Sequence, residues 1–282
     1  MDFSDYPKIN SFYSGSEKKI GIRIDNVEWI LKFQYKDELG SRFNHISEHL
    51  GSTIFNMIGI EAQQTELGTY KGEEVVACKN FIPAGFKFVP FNDVGESTLE
   101  TDKDRFQYSY EDIETMLAIN RKITDLDTTT ERFWDIYIVD ALLGNFDRHG
   151  GNWGFLKNED GYYNAPVFDN GSCLFPQMTD EDTMRKIIDS KELTEERVFK
   201  FPTSQIKLDG RKSSYHDVIS SLRFPECNDA LIRICPRIDL DNIHELIDRI
   251  ESISEIHKEF YMHMISCRYN MILLESFERL IG

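Results

Sequence analysis

The chain of 282 residues has no run of about 18 apolar residues, so a transmembrane helix is not expected. Its opening, Met1-Asp2-Phe3-Ser4-Asp5, is acidic and lacks the basic and apolar regions of a secretory signal. The expectation is an intracellular, cytoplasmic protein with no membrane partner. Cysteine is sparse and odd in number: Cys78, Cys173, Cys227, Cys235 and Cys267 are far apart with no CxxC pair. That excludes a disulfide framework and a zinc ribbon. His45 and His49 have the spacing of a zinc pair, but the segment is not HExxH and offers no third ligand, so both read as solvated helix histidines. Basic residues are short as well. Against 49 Asp and Glu there are 32 Lys and Arg, a formal charge of -17, which disfavours direct binding of duplex nucleic acid or an anionic membrane. A phosphate-bearing small molecule remains compatible, because a few local cations and a divalent metal can outweigh a distant negative surface.

What is present is a change of periodicity along the chain. Ile9 to Tyr13, Ile20 to Ile24 and Val27 to Phe33 read as strands, with a small-residue turn at Ser14 to Lys19 and a hairpin turn at Asp25-Asn26. Helical spacing follows over Phe43 to Ile58, with Gly59 as a stop. Two more strands, Gln63 to Tyr70 and Glu74 to Phe81, flank a turn at Lys71-Gly72. Residues Ile82 to Lys103 carry Pro83, Gly85, Pro90 and Gly95 and then turn acidic, which marks a joint. Beyond it the chain reads as mainly helical. Tyr110 to Ile123 is one helix; Thr128 with Glu131 signals a capping box for a second that ends at Gly144. A hairpin of Asn152 to Leu156 and Tyr162 to Phe168 comes next, and the remainder is helical, clearest over 240–250 and 256–280. The class is α+β, with a sheet-rich part over residues 1–81 and a helical part over 82–282.

The most informative stretch is Gly144 to Gly154. Asp147, on a glycine-rich loop, is followed five residues later by Asn152, the spacing by which protein-kinase-like folds place a base and a metal ligand. Asp169 stands at the end of the following hairpin, so Asp147, Asn152 and Asp169 are expected to converge as oxygen ligands and base, a set that suits Mg2+ shared with nucleotide phosphates. Lys32 closes the third strand and matches the position of a phosphate-binding strand lysine, with Glu48 on the next helix as its ion-pair partner. The loop Ser14-Gly15-Ser16-Glu17-Lys18-Lys19 departs from GxGxxG and from GxxxxGK[ST]. It still offers backbone N–H groups, hydroxyls, and Lys18 or Lys19 to a phosphate. Arg148 reads as a phosphate contact or a solvated side chain, and Trp153 and Cys173 as packing residues.

Together these residues resemble the HipA-like serine/threonine kinases, the toxins of bacterial toxin–antitoxin systems. The resemblance covers most of the chain, and its D-x-H-x-x-N form, with His149 two residues after Asp147, is more specific to that family than to eukaryotic kinases. It implies a bilobal protein-kinase-like fold and ATP with Mg2+ as cofactors. It implies transfer of the γ-phosphoryl group to a protein hydroxyl, that of an aminoacyl-tRNA synthetase in the best-understood members, and a small antitoxin protein as partner. It also implies autophosphorylation of the phosphate-binding loop, at Ser14 or Ser16, where a phosphoserine of about −1.5 to −2 charge would displace a loop built to hold another phosphate. Adenine would lie along Lys79-Asn80-Phe81, which lacks the acidic residue common there. With its loop opening at Ser14, the chain resembles the short members of the family. A small-molecule kinase of the aminoglycoside or choline type is the alternative. The acidic stretch Glu96 to Asp104 would then receive a cationic substrate. A non-enzymatic kinase fold has no chemical need for the full set of Lys32, Asp147, Asn152 and Asp169.

Overall fold

Asp25 and Asn26 both take positive φ, 48° and 65°, as a type I′ turn demands, and that turn matches the twist of the strands it joins. The computed structural model in which they stand describes residues 1–9, 18–37, 40–99, 109–120 and 122–282. The expected loop residues Ser14, Gly15, Ser16 and Glu17 and the acidic positions 100–104 therefore lie outside the described residues. Contacts divide the chain into two units, one of residues 1–81 with 166–182 and one of 82–165 with 183–282.

In the first unit, β1 (Lys8–Ile9), β2 (Lys19–Ile24) and β3 (Val27–Phe33) lead to a short ladder, β4 (Lys36–Asp37) and β5 (Gly40–Ser41). Helix α1 (Asn44–Met57) and the hairpin β6 (Thr65–Tyr70) and β7 (Glu73–Lys79) follow. An antiparallel sheet runs in the order β1-β2-β3-β7-β6. Alternation sorts its side chains by face. Ile22, Leu31, Phe33, Tyr70, Val75 and Ala77 form an apolar core on one face, closed by the fully buried Phe3. Phe3 reaches it because Phe3 N–H donates to Thr69 O and Thr69 N–H to Met1 O, each at 2.8 Å. Gly68 permits this approach, since a Cβ there would collide with Met1 O. The opposite face receives α1, whose Ile46, Leu50, Ile54 and Phe55 are buried.

Residues 166–182, counted from sequence with the helical part, pack in this first unit. Val167 explains why: its N–H donates to Glu61 O at 2.9 Å and its carbonyl accepts from Gln63 N–H at 2.7 Å. Asn170 Nδ2 also donates to Ser52 Oγ at 2.9 Å, at a point where a Cβ on Gly51 would strike the Asn170 side chain.

The second unit begins with β8 (Lys87–Pro90) and α2 (Phe91–Leu99), so the expected joint contains regular structure. Next come α3 (Tyr110–Ile119), α4 (Leu126–Leu143), β9 (Gly154–Lys157) and β10 (Tyr162–Asn164), with the last two and β8 in one sheet, order β10-β9-β8. Asp125, not Thr128, caps α4: its carboxylate accepts from Thr128 N–H at 3.0 Å and Thr128 Oγ1 at 2.7 Å. From Phe133 onward α4 is buried on nearly all sides, and Gly144 ends it at φ 62°. Trp153 packs as expected, stacked on Phe91 with ring centroids 4.1 Å apart. Helices α5 (Glu181–Asp189) and α6 (Lys191–Phe199) precede a hairpin, β11 (Thr203–Leu208) and β12 (Arg211–Ser214), within the stretch read as helical. The closing elements are α7 (Tyr215–Ile219), α8 (Pro225–Ile234), α9 (Leu240–Asp248), α10 (Glu255–Arg268) and α11 (Glu275–Ile281), the last two joined through a π-helical turn at Tyr269–Leu274. No described helix is long and apolar enough to cross a membrane.

The two helix histidines are not solvated. His45 is buried with Nε2 2.9 Å from a Glu74 carboxylate oxygen, and His49 Nδ1 lies 3.0 Å from Thr65 Oγ1. Among the described residues no group of three or more His, Cys, Asp or Glu side chains is placed to hold a metal. Burial pulls both imidazoles below the usual histidine pKa, against the raising pull of Glu74 on His45 and of Glu66 on His49. A neutral His45 also fits its buried Nδ1, which has no partner among the described residues and would be an unsatisfied donor if protonated. Since their folded pKa is depressed, the unfolded chain binds more protons as pH falls below about 6.5, so stability is lost in that direction. The urea midpoint is expected to drop between pH 7 and 5, with a shallower dependence in His49→Gln; an identical slope in both proteins would refute this.

Candidate active site

In the first unit, Lys32 sits near the end of β3 on the face that receives α1, not the core face of its neighbours Leu31 and Phe33. Its Nζ lies 2.9 Å from Glu48 Oε2 on α1 and 2.9 Å from Asp169 Oδ1. Glu48 is 2 % exposed and Lys32 12 %, whereas Asp169 is 43 % exposed, so the cluster has one solvent-facing carboxylate. Burial by itself would lower the Lys32 pKa, but the charges of Asp169 and Glu48 outweigh it and hold the amine well above the usual lysine value. Lys32 is therefore an ammonium at any physiological pH. Asp169 takes φ 58°, and Leu174 and Phe175 follow at φ 56° each. An aspartate tolerates this left-handed region; leucine and phenylalanine do so only where packing imposes it. Both are buried.

The sheet register separates the two loop lysines. Lys19 stands directly opposite Lys32 in the β2–β3 ladder, hence on the same face. Lys18 is engaged elsewhere, with Nζ 2.6 Å from Glu73 Oε1 and 4.0 Å from the centre of the Phe33 ring. Lys79 donates to Gln64 Oε1 at 2.8 Å, and the Phe81 ring lies 5.4 Å from that of Phe168, the neighbour of Asp169.

In the second unit, residues 145–152 are held from beneath by one carboxylate. Asp140, 1 % exposed in the last turns of α4, accepts from Asn145 Nδ2 at 2.9 Å. It also accepts from Arg148 Nε at 2.9 Å and Nη2 at 3.1 Å. Arg148 Nη1 then donates to Asn152 O at 3.1 Å, and Asn145 Oδ1 accepts from Asp147 N–H at 3.0 Å. Tyr215 Oη donates to Asn145 O at 2.6 Å. Across the loop, Asn152 Nδ2 donates to Asp147 O at 2.9 Å, which turns the donor side of the amide toward the loop backbone. His149 is exposed, with Nδ1 accepting from Gly151 N–H at 3.0 Å.

Arg148 is thus a buried brace, not a phosphate contact or a solvated side chain. Arg268, also unforeseen, lies buried against Gly144 and donates to Ala141 O at 2.5 Å and Arg197 O at 2.9 Å. It ties the carbonyl ends of α4 and α6, where a cation is favoured; burial pushes its pKa down to about 10. Asp140 had a legible signal, a lone acid inside the apolar run Ile136 to Leu143, since an acid there must find a buried partner. Tyr215 had none.

Removing Asp140 strands the Arg148 guanidinium in the interior, a loss of about 3–5 kcal/mol for breaking a buried pair. Asp140→Ala is expected to lower the unfolding free energy by that order in urea titrations. The double variant Asp140→Ala/Arg148→Met should lose less than the sum of the two single changes; strict additivity would show that the pair is not coupled.

The model of the HipA-like C-terminal domain family matches residues 11–250 of the chain. Serine/threonine-protein kinase CtkA of Helicobacter pylori strain J99 is 36% identical over 270 residues, covering 93% of this chain and 82% of the relative. The crystal structure of an H. pylori proinflammatory kinase CtkA superposes with a TM-score of 0.93 at 34% identity, over 100% of this chain and 97% of that one. HipA from a Shewanella oneidensis MR-1 complex of HipA, HipB and operator DNA shares the fold, with a TM-score of 0.60 at 17% identity over 96% of this chain and 65% of that one. With its family model spanning most of its length and a kinase relative aligned nearly end to end, the chain belongs to the HipA-like C-terminal domain family and is a kinase.

Proposed function

We propose that this chain is an ATP- and Mg2+-dependent serine/threonine protein kinase that also phosphorylates its own loop at Ser14 or Ser16. The observation that carries this reading is the ammonium of Lys32 held between a buried and a half-exposed carboxylate, Glu48 and Asp169. A structural lysine has no need of two acids, whereas a phosphate-binding lysine needs one to orient it and a neighbouring metal ligand. The donors also suit the cation. Asp169 and the Asn152 amide are hard oxygen ligands of the sparse kind that Mg2+ accepts when phosphates and water complete its shell. When bound, the metal would neutralise charge on the transferring phosphoryl group.

The chain's own residues supply the rest. Lys32 and Lys19 neutralise phosphate oxygens, with residues 14–18 as the phosphate-binding loop, and Lys79, Phe81 and His149 complete the nucleotide contacts. Asp147 orients the acceptor hydroxyl and takes its proton as the new O–P bond forms and the bond to the β-phosphate oxygen breaks, releasing ADP. The acceptor is a protein, with an aminoacyl-tRNA synthetase as the first candidate. A small antitoxin protein is the proposed binding partner, as HipB accompanies HipA in the Shewanella complex. The cytoplasm is the proposed compartment.

Incubation with Mg2+-ATP followed by intact-mass and phosphopeptide analysis tests this. Phosphate is expected on Ser14 or Ser16, and Asp147→Asn is expected to slow its appearance by about 10²–10⁴-fold, the usual contribution of a positioned base. ATP binding without phosphorylation of this chain or of any lysate protein would overturn the reading.

A further inference from the structure

The hairpin of β11 and β12 carries charge out of keeping with the rest of the chain. Within a protein of net charge -17, residues 197–212 include Arg197, Lys200, Lys207, Arg211 and Lys212 against the single acid Asp209. Lys207 stands directly opposite Lys212 in the ladder, so two ammonium groups share one face, an arrangement that destabilises a strand pair. Neither has a carboxylate partner among the described residues. An anion brought to that face would relieve the pair.

This cationic face continues into the candidate catalytic loop. On β11, Thr203, Gln205 and Lys207 are half-buried while Ser204 and Ile206 point inward. Gln205 Nε2 donates to Phe146 O at 2.7 Å, and Phe146 directly precedes Asp147. The Phe146 ring stacks on Phe201, centroids 6.2 Å apart and planes at 27°, and Phe201 is 48% exposed. Between Thr203 and Lys207 the ladder register shifts, and the two residues from Gln205 to Lys207 span at most about 7 Å. One strip therefore runs from the residue before Asp147, over an aromatic pair, to a paired cation.

We propose that this strip docks the acceptor protein through an extended segment that carries an apolar side chain beside the phosphorylated Ser or Thr and acidic side chains a few residues away. The proposal rests on the kinase reading above and deepens it. Phe146 and Phe201 receive the apolar side chain; Lys207 and Lys212 receive the carboxylates. Local attraction at the strip also offsets the long-range repulsion that an acidic acceptor meets from this chain.

Initial rates with Mg2+-ATP on dephosphorylated casein, an acidic acceptor, and on myelin basic protein test it in the full chain. The wild type should favour casein. Lys207→Glu/Lys212→Glu should shift the ratio of kcat/KM values toward myelin basic protein by at least about tenfold, as reversed charges at an interface do. Phe201→Ala should raise KM for casein more than it lowers kcat. The gain on the basic acceptor cannot arise from a misfolded variant. A wild type without preference, or a ratio unmoved by the charge reversal, overturns the docking surface and leaves the kinase reading standing. No phosphorylation of either acceptor by a wild type that still phosphorylates its own chain overturns the docking surface alone; if self-phosphorylation is absent as well, both readings fall. Binding of polyuridylic acid that the reversal abolishes, with the acceptor ratio unchanged, overturns it in favour of a nucleic acid.

Discussion

Three separate stretches of the first unit meet at the Lys32 ammonium. It comes from the central strand of the sheet, Glu48 from the helix laid across that sheet, and Asp169 from a segment that returns after residue 165. Removing the Lys32 and Glu48 charges from water is costly, and the cost is recovered only where geometry is good on all sides. Two 2.9 Å contacts supply that geometry here. The surrounding structure serves it: Gly51 lets the returning segment approach α1, Val167 locks that segment to residues 61–63, and positive φ at Asp169 aims its carboxylate. A cluster with two acids and one base is left with one excess negative charge, a disposition that favours the approach of a cation.

The second unit solves the corresponding problem for Asp147 and Asn152 by a different means. A loop of glycines, Asx residues and an exposed histidine has little apolar surface to hold it. Its order comes instead from the buried pair Asp140 and Arg148, which is connected by hydrogen bonds to Asn145 and Asn152. Because Asn145 also accepts from the Asp147 amide, the backbone on both sides of the candidate base is referred to one carboxylate in the buried last turns of α4. Pre-organisation of this kind is what phosphoryl transfer asks of a protein, since positioning and charge stabilisation supply most of its catalysis.

Much of the fold was legible. Alternation marked β2 and β3, helical spacing marked α1 and α4, and the turns at Asp25-Asn26 and Lys71-Gly72 have the positive φ those residue types accommodate. The hairpin β11–β12 was missed although Asp209-Gly210, both at positive φ, is one of the strongest short-range hairpin signals; the longer helical periodicities on either side masked it. The cap of α4 was displaced by three residues, from Thr128 to Asp125, because both residue types cap helices and only the backbone shows which has left helical φ and ψ.

What the sequence by itself determined is whatever depends on near neighbours: strand and helix periods, turn residues, and the close-spaced set Asp147, His149 and Asn152. Tertiary structure decided the rest. Lys32 finds one partner 16 residues away and the other 137 away. Lys19 rather than Lys18 shares its face through a ladder register. Arg148 became a buried brace because Asp140 lies beneath it, and His45 became buried and His49 half-buried because a sheet covers them. In each case the deciding quantity is the loss of water around a charged or polar group. That loss is set by whichever distant segment arrives to cover it, so local pattern carries no record of it.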